Sequence, residues 1–153
     1  MSTDKAVTED LMETLQDGKE GFEKGAEKLD ESKAPQLAVT FRRLSQQRDS
    51  FYNELKAMAK DYGDKVEESG SVAAKLHRGW MGLKDALSGS DPDGVLDAAE
   101  QGEEYATKKY QEAIDDDIYD GLRTVITRQM VDITAAYQEV KSLRESNKRQ
   151  SGD

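Results

Sequence analysis

The chemical repertoire of this chain is narrow: 32 acidic side chains, one histidine, one tryptophan and no cysteine. Glu100 and Glu103 stand three apart, so a helix sets them on adjoining faces. Two such carboxylates could hold a cation with oxygen ligands alone. A di-metal site in a helical bundle asks for more, namely inward carboxylates from two helices and a Glu-x-x-His pair from each of two others. No Glu-x-x-His occurs in the chain, and Glu20 and Glu27 fall off the apolar stripe of their own helix. Metal binding at Glu100 and Glu103 is therefore the alternative reading, and no cofactor is expected. His77 could move a proton near neutral pH. It adjoins Leu76 and lies three residues from Trp80, where it borders a packed face. We read Trp80 and His77 as anchors of a short crossover helix. With no thiol and no serine elbow motif, nucleophilic catalysis has no carrier. No catalytic residue is assigned, and the residues lean away from an enzyme.

The most informative polar residues interrupt apolar stripes. The steps Leu37, Phe41, Leu44, Arg48, Phe51, Leu55, Met58 and Tyr62 alternate four and three, as in bundle packing. The stripe Leu96, Ala99, Glu103, Ala106, Tyr110, Ala113 carries a glutamate at its middle, and Leu122, Ile126, Gln129, Ile133, Ala136, Val140 carries a glutamine. The first helix, with Val7, Leu11, Leu15, Phe22 and Leu29, has Gly18 at the matching place. Antiparallel helices of similar length bring their middles to one level. The expectation is a structural polar layer in which Arg48 pairs with Glu103, Gln129 takes a remaining hydrogen bond, and Gly18 makes room. A mid-helix glycine costs ~1 kcal/mol relative to alanine, so a packing reason is expected.

These stripes, with the punctuation at Pro35, Gly63 and Asp91-Pro92, predict helices over 8–30, 34–62, 71–87, 92–115 and 118–145. Either Thr3 or Thr8 could cap the first. Gly79 and Gly82 would let the crossover helix approach a neighbour closely. The polar tail 145–153 is expected to fray. The length suits one domain, 1–153. A net charge of -10 argues against nucleic acid, which needs Lys and Arg to neutralise phosphates, and against anionic membranes. No run approaches the ~20 apolar residues of a membrane span, and the first residues lack a signal-peptide core. A cytoplasmic protein is expected, with a protein partner or self-association left open.

Four patches carry a family resemblance. They are Asp17-Gly18-Lys19-Glu20-Gly21-Phe22 with Ala26-Glu27; Gln47-Arg48 with Phe51 and Glu54-Leu55; Leu76-His77-Arg78-Gly79-Trp80 with Leu83-Lys84; and Glu100-Gln101-Gly102-Glu103 with Tyr110. In this order they resemble a bacterial family of four-helix-bundle proteins of unknown function, grouped with ferritin-like folds. The resemblance implies an all-α, ferritin-like bundle and suggests a stress-related setting. It supplies no activity and no catalytic residues. The long link between the second and third helices fits that topology, with the crossover helix returning along the bundle. An up-down bundle with the short helix across one end is the alternative. Two functions remain: a non-enzymatic interaction or structural protein, and a di-iron-like redox or iron-storage protein.

Overall fold

The computed structural model describes residues 2–61, 78–80, 82–89 and 92–150. It is all-α among these residues. Four long helices are α1 (Ser2–Glu31), α2 (Pro35–Asp61), α4 (Pro92–Ile114) and α5 (Asp120–Gln150). Between α2 and α4 lie a 3-10 turn, Arg78–Trp80, and the short α3 (Leu83–Ser88). Tyr62, Val72, Leu76, His77 and Asp91 lie outside the described residues, as do residues 71–77 and 81 of the predicted helix 71–87. What is described of that helix is in two pieces.

The core fixes the helix directions. Phe22, Ala26 and Leu29 of α1 pack with Ala38, Phe41 and Leu44 of α2, with Val95, Leu96, Ala98 and Ala99 of α4, and with Ala136 and Val140 of α5. At the other end Val7, Leu11, Met12 and Leu15 meet Phe51 and Leu55, Ala106, Tyr110 and Ala113, and Leu122 and Ile126. So α2 and α4 both run antiparallel to α1, and α5 runs with it. The up-down alternative would make α2 and α4 antiparallel and does not fit this packing. Since α2 ends at one end and α4 begins at the other, their connection returns along the bundle. Its described pieces pack on α4 and α1. The helices pair as two hairpins, α1–α2 and α4–α5, with α1 also against α4 and little contact between α2 and α5.

The turns show why the elements stop where they do. After α1 the amide of Ala34 donates to Leu29 O at 2.8 Å and that of Lys33 to Asp30 O at 3.2 Å. This is a Schellman motif, with Lys33 at φ 62° in the left-handed position usually taken by glycine. Pro35 then opens α2, where its missing N–H had no partner to lose. Beyond α4, the Arg123 guanidinium donates to the carbonyls of Ile114, Asp116 and Ile118 and ties together the turn that leads into α5.

Two boundaries differ from the sequence reading by more than two residues. α1 begins at Ser2 rather than 8, because its first turns are covered: Asp4, Val7 and Thr8 are buried, and Asp4 Oδ1 accepts the Tyr119 N–H at 3.0 Å. α5 continues past 145 to Gln150, so the tail expected to fray is helical to that point. Leu143 packs on the core there, and Lys148 and Arg149 suit the negative end of the helix dipole.

Candidate functional site

Between the two apolar halves of the core sits a guanidinium–carboxylate pair. Arg48, midway along α2, donates from Nη1 to Glu103 Oε1 at 2.5 Å and from Nη2 to Oε2 at 2.7 Å. The two side chains are 1% and 0% exposed, so the pair is dry. Both carboxylate oxygens and both terminal guanidinium nitrogens are engaged, the geometry in which a buried pair best offsets its desolvation. Arg48 Nε donates to Gln47 Oε1 at 3.2 Å, and the guanidinium carbon lies 5.3 Å from the Phe22 ring centroid. Burial raises the Glu103 carboxyl above its ordinary range, the guanidinium opposes that rise, and Glu139 adds to it. The pair joins α2 to α4, and so one hairpin to the other.

Gln129 does not join this pair. Its Oε1 accepts from Tyr110 Oη at 2.7 Å, and its Nε2 donates to Glu54 Oε1 at 2.8 Å and to Phe51 O at 3.4 Å. Both amide hydrogens are thereby used. Glu54 Oε2 accepts in turn from Arg128 on the surface. A second polar network therefore lies apart from the first, toward the end of the core that holds Val7, Leu11 and Leu15. Burial pushes the Tyr110 phenol far above its ordinary range; Arg48 pulls it back and Glu54 adds to the rise.

Gly18 does abut Arg48, yet a Cβ there would lie 3.4 Å from Nη1 and 3.5 Å from Cγ, which is ordinary contact. The room it makes is not essential. The closest approaches are elsewhere. A Cβ on Gly21 would fall 2.4 Å from the Trp80 ring, and one on Gly102 would fall 2.3 Å from it. The indole is thus held between the backbones of α1 and α4, with its edge on Phe22 at a centroid distance of 4.9 Å. Gly79 is as tight, 2.5 Å from Tyr105 Cβ, whereas Gly82 has no atom nearer than 3.7 Å and provides no close approach. Two glycines that shape this slot, Gly21 and Gly102, carry a signal in the sequence: each weakens a helix interior without a local reason.

The alternative metal ligands do not converge. Glu103 is spent on Arg48, and Glu100 turns to α5, where Arg144 Nη1 lies 2.8 Å from its Oε1. Among the described residues no group of three or more His, Asp or Glu is placed to hold a metal ion. His77 lies outside them. A cleft of about 190 Å³ opens between α2 and α5, lined by Arg43, Gln47, Asp132, Ala135 and Glu139. Arg43 Nη2 donates across it to Glu139 Oε2 at 2.6 Å.

A family model described as "Domain of unknown function (DUF2383)" matches residues 6–116, most of the chain. The chain belongs to that family. The DUF2383 match takes in α1, α2, the crossover elements and α4, and stops in the turn before α5. Arg48, Glu103, Gly21, Gly102 and Trp80 all lie inside it, while Gln129 and Arg128 lie beyond. No curated protein matches the chain. No helix among the described residues is long and apolar enough to cross a membrane.

Proposed function

We propose that this DUF2383 chain is a ferritin-like four-helix bundle that works as a non-enzymatic, stress-associated interaction or structural protein of the cytoplasm. Its helix directions and its returning connection between α2 and α4 support the ferritin-like assignment. One observation carries the functional reading. The middle of the bundle, where a ferritin-like protein would gather inward carboxylates around metal, is occupied by Arg48 and Glu103 bonded to each other through both ends. A fixed cation already neutralises the most deeply buried carboxylate among the described residues. A second positive charge there would meet repulsion instead of a ligand set. Such a pair fixes which helices meet and at what register. The reactive surface is then the outside, whose net charge of -10 favours cationic protein partners over nucleic acid and membrane.

Elemental analysis tests this directly. The full chain, purified without chelator and then exposed to iron(II) or manganese(II), should retain well under one metal per chain. Near-stoichiometric metal that is lost in Glu103→Gln would overturn the reading and favour redox or storage chemistry. A strain lacking the chain should lose survival under stress. A specific nutritional requirement would instead point to a metabolic enzyme.

A further inference from the structure

The two described pieces of the crossover are attached very differently from the helices they cross. Of residues 79, 80 and 82–89, only Trp80 and Leu83 are buried. Ala86 and Leu87 rest half-buried on the core, and Lys84, Asp85 and Ser88 are exposed. α3 has 6 residues, too few to hold a helix unaided, and Gly82 at its start supplies no side-chain cap. This segment therefore keeps its shape by docking, chiefly through Trp80 and Leu83.

The receiving surface is built by the long helices α1 and α4. Gly21 and Gly102 are set in the interiors of two long helices, so the slot is cut from backbone and not from side chains that could fill it. The hairpins are tied together independently. Arg48 bonds Glu103, Lys109 lies 3.3 Å from Asp10, Arg43 bonds Glu139, and Asp4 holds the Tyr119 amide. None of these ties involves the crossover elements.

We propose that the 3-10 turn Arg78–Trp80 and α3 form a releasable strap, latched by the Trp80 indole between Gly21 and Gly102, which undocks as a unit while the four long helices stay packed. Local opening of this kind is expected where few apolar contacts hold a segment with little structure of its own. Release bares a flat slot, bounded by two glycine backbones and the edge of Phe22, with the shape of one indole ring.

The chain has one tryptophan, so its emission reports the latch alone. Full-length protein titrated with guanidinium should show red-shifted, acrylamide-quenchable emission at a lower concentration than the loss of helical circular dichroism. Amides of α3 should exchange at least ~10-fold faster than those in the centres of α1 and α4. Coincident emission and helix transitions, with equal protection, would overturn the proposal, since the strap would then belong to the cooperative core. Gly102→Ala supplies a second test under native conditions. Its methyl should expel the indole and shift the emission while the helical signal is kept. Loss of the helical signal in step with that shift would likewise overturn it.

Discussion

Removing Arg48 and removing Glu103 should have different consequences, although each breaks the same pair. Glu103 can respond to the loss of its partner by taking up a proton. At pH 7 that costs at most ~3.7 kcal/mol, from ~1.36 kcal/mol per pH unit above an ordinary glutamate pKa of ~4.3. At pH 5 the same step costs ~1 kcal/mol. Arg48 has no such escape, because a guanidinium does not deprotonate in a protein. Arg48→Met should therefore cost several kcal/mol at pH 7 and recover by up to ~2.7 kcal/mol at pH 5. The lost contact with Phe22, worth ~0.5–2 kcal/mol, remains at both. The direction follows from linkage. Without Arg48 the folded state holds a proton that the unfolded chain gives up, so stability is retained at low pH and lost as pH rises. Glu103→Leu should cost ~3–5 kcal/mol with no such recovery. Arg48→Met with Glu103→Leu should regain much of either loss, as neither charge is left to desolvate. Guanidinium melts of the four proteins at both pH values, each referred to wild type at the same pH, complete the cycle. Coupling below ~0.5 kcal/mol, or an Arg48→Met penalty equal at the two pH values, would refute the dry ion pair.

Three more outcomes follow from the geometry. Gly18→Ala should be neutral or stabilising by up to ~1 kcal/mol, since its methyl fits beside Arg48, whereas Gly25→Ala should destabilise because its Cβ would fall 2.8 Å from the Phe41 ring; thermal melts separate the two. Lys33→Gly should stabilise by about 0.5 kcal/mol in denaturant melts, the relief of a left-handed lysine outweighing the added chain entropy. Tyr110 should stay protonated while exposed tyrosines ionise, as read by phenolate absorbance. Its raised pKa means that the unfolded state releases this proton first, so stability should fall above pH ~10 by up to ~1.4 kcal/mol per unit until the chain unfolds.

Much of the bundle could be read from spacing. The four-three steps mark every long helix, and Arg48 and Glu103 fall at stripe centre midway along their helices, which is where the structure joins them. The 30 positions between Asp61 and Pro92 are enough to return along the bundle. Gln129 was harder to place. Its partners depend on the axial offset of α5, which sets it level with Phe51 and Glu54 rather than with Arg48. The indole slot was legible only as two mid-helix glycines, Gly21 and Gly102, and not as a place for Trp80. Glycine contributes no side chain to a stripe, and which turn of α1 and α4 the tryptophan reaches depends on the path of the crossover. The start of α1 rests on Tyr119, 115 residues from Asp4, and no local pattern records such a contact.

The pairing of Arg48 with Glu103 also sets a schedule for synthesis. Their positions are 55 residues apart, so a ribosome finishes the α1–α2 hairpin well before the carboxylate exists. At ~5–20 residues per second the delay is roughly 3–11 s. During that interval the guanidinium has no carboxylate of α4 to pair with, and the apolar faces of α1 and α2 have no second hairpin to cover them. The emerging hairpin is thus open to other clients of the same surface, including the hairpin of a neighbouring nascent chain. Placing the charge at mid-helix gives the correct second hairpin an advantage in that competition, because a mispaired one leaves the arginine without its carboxylate.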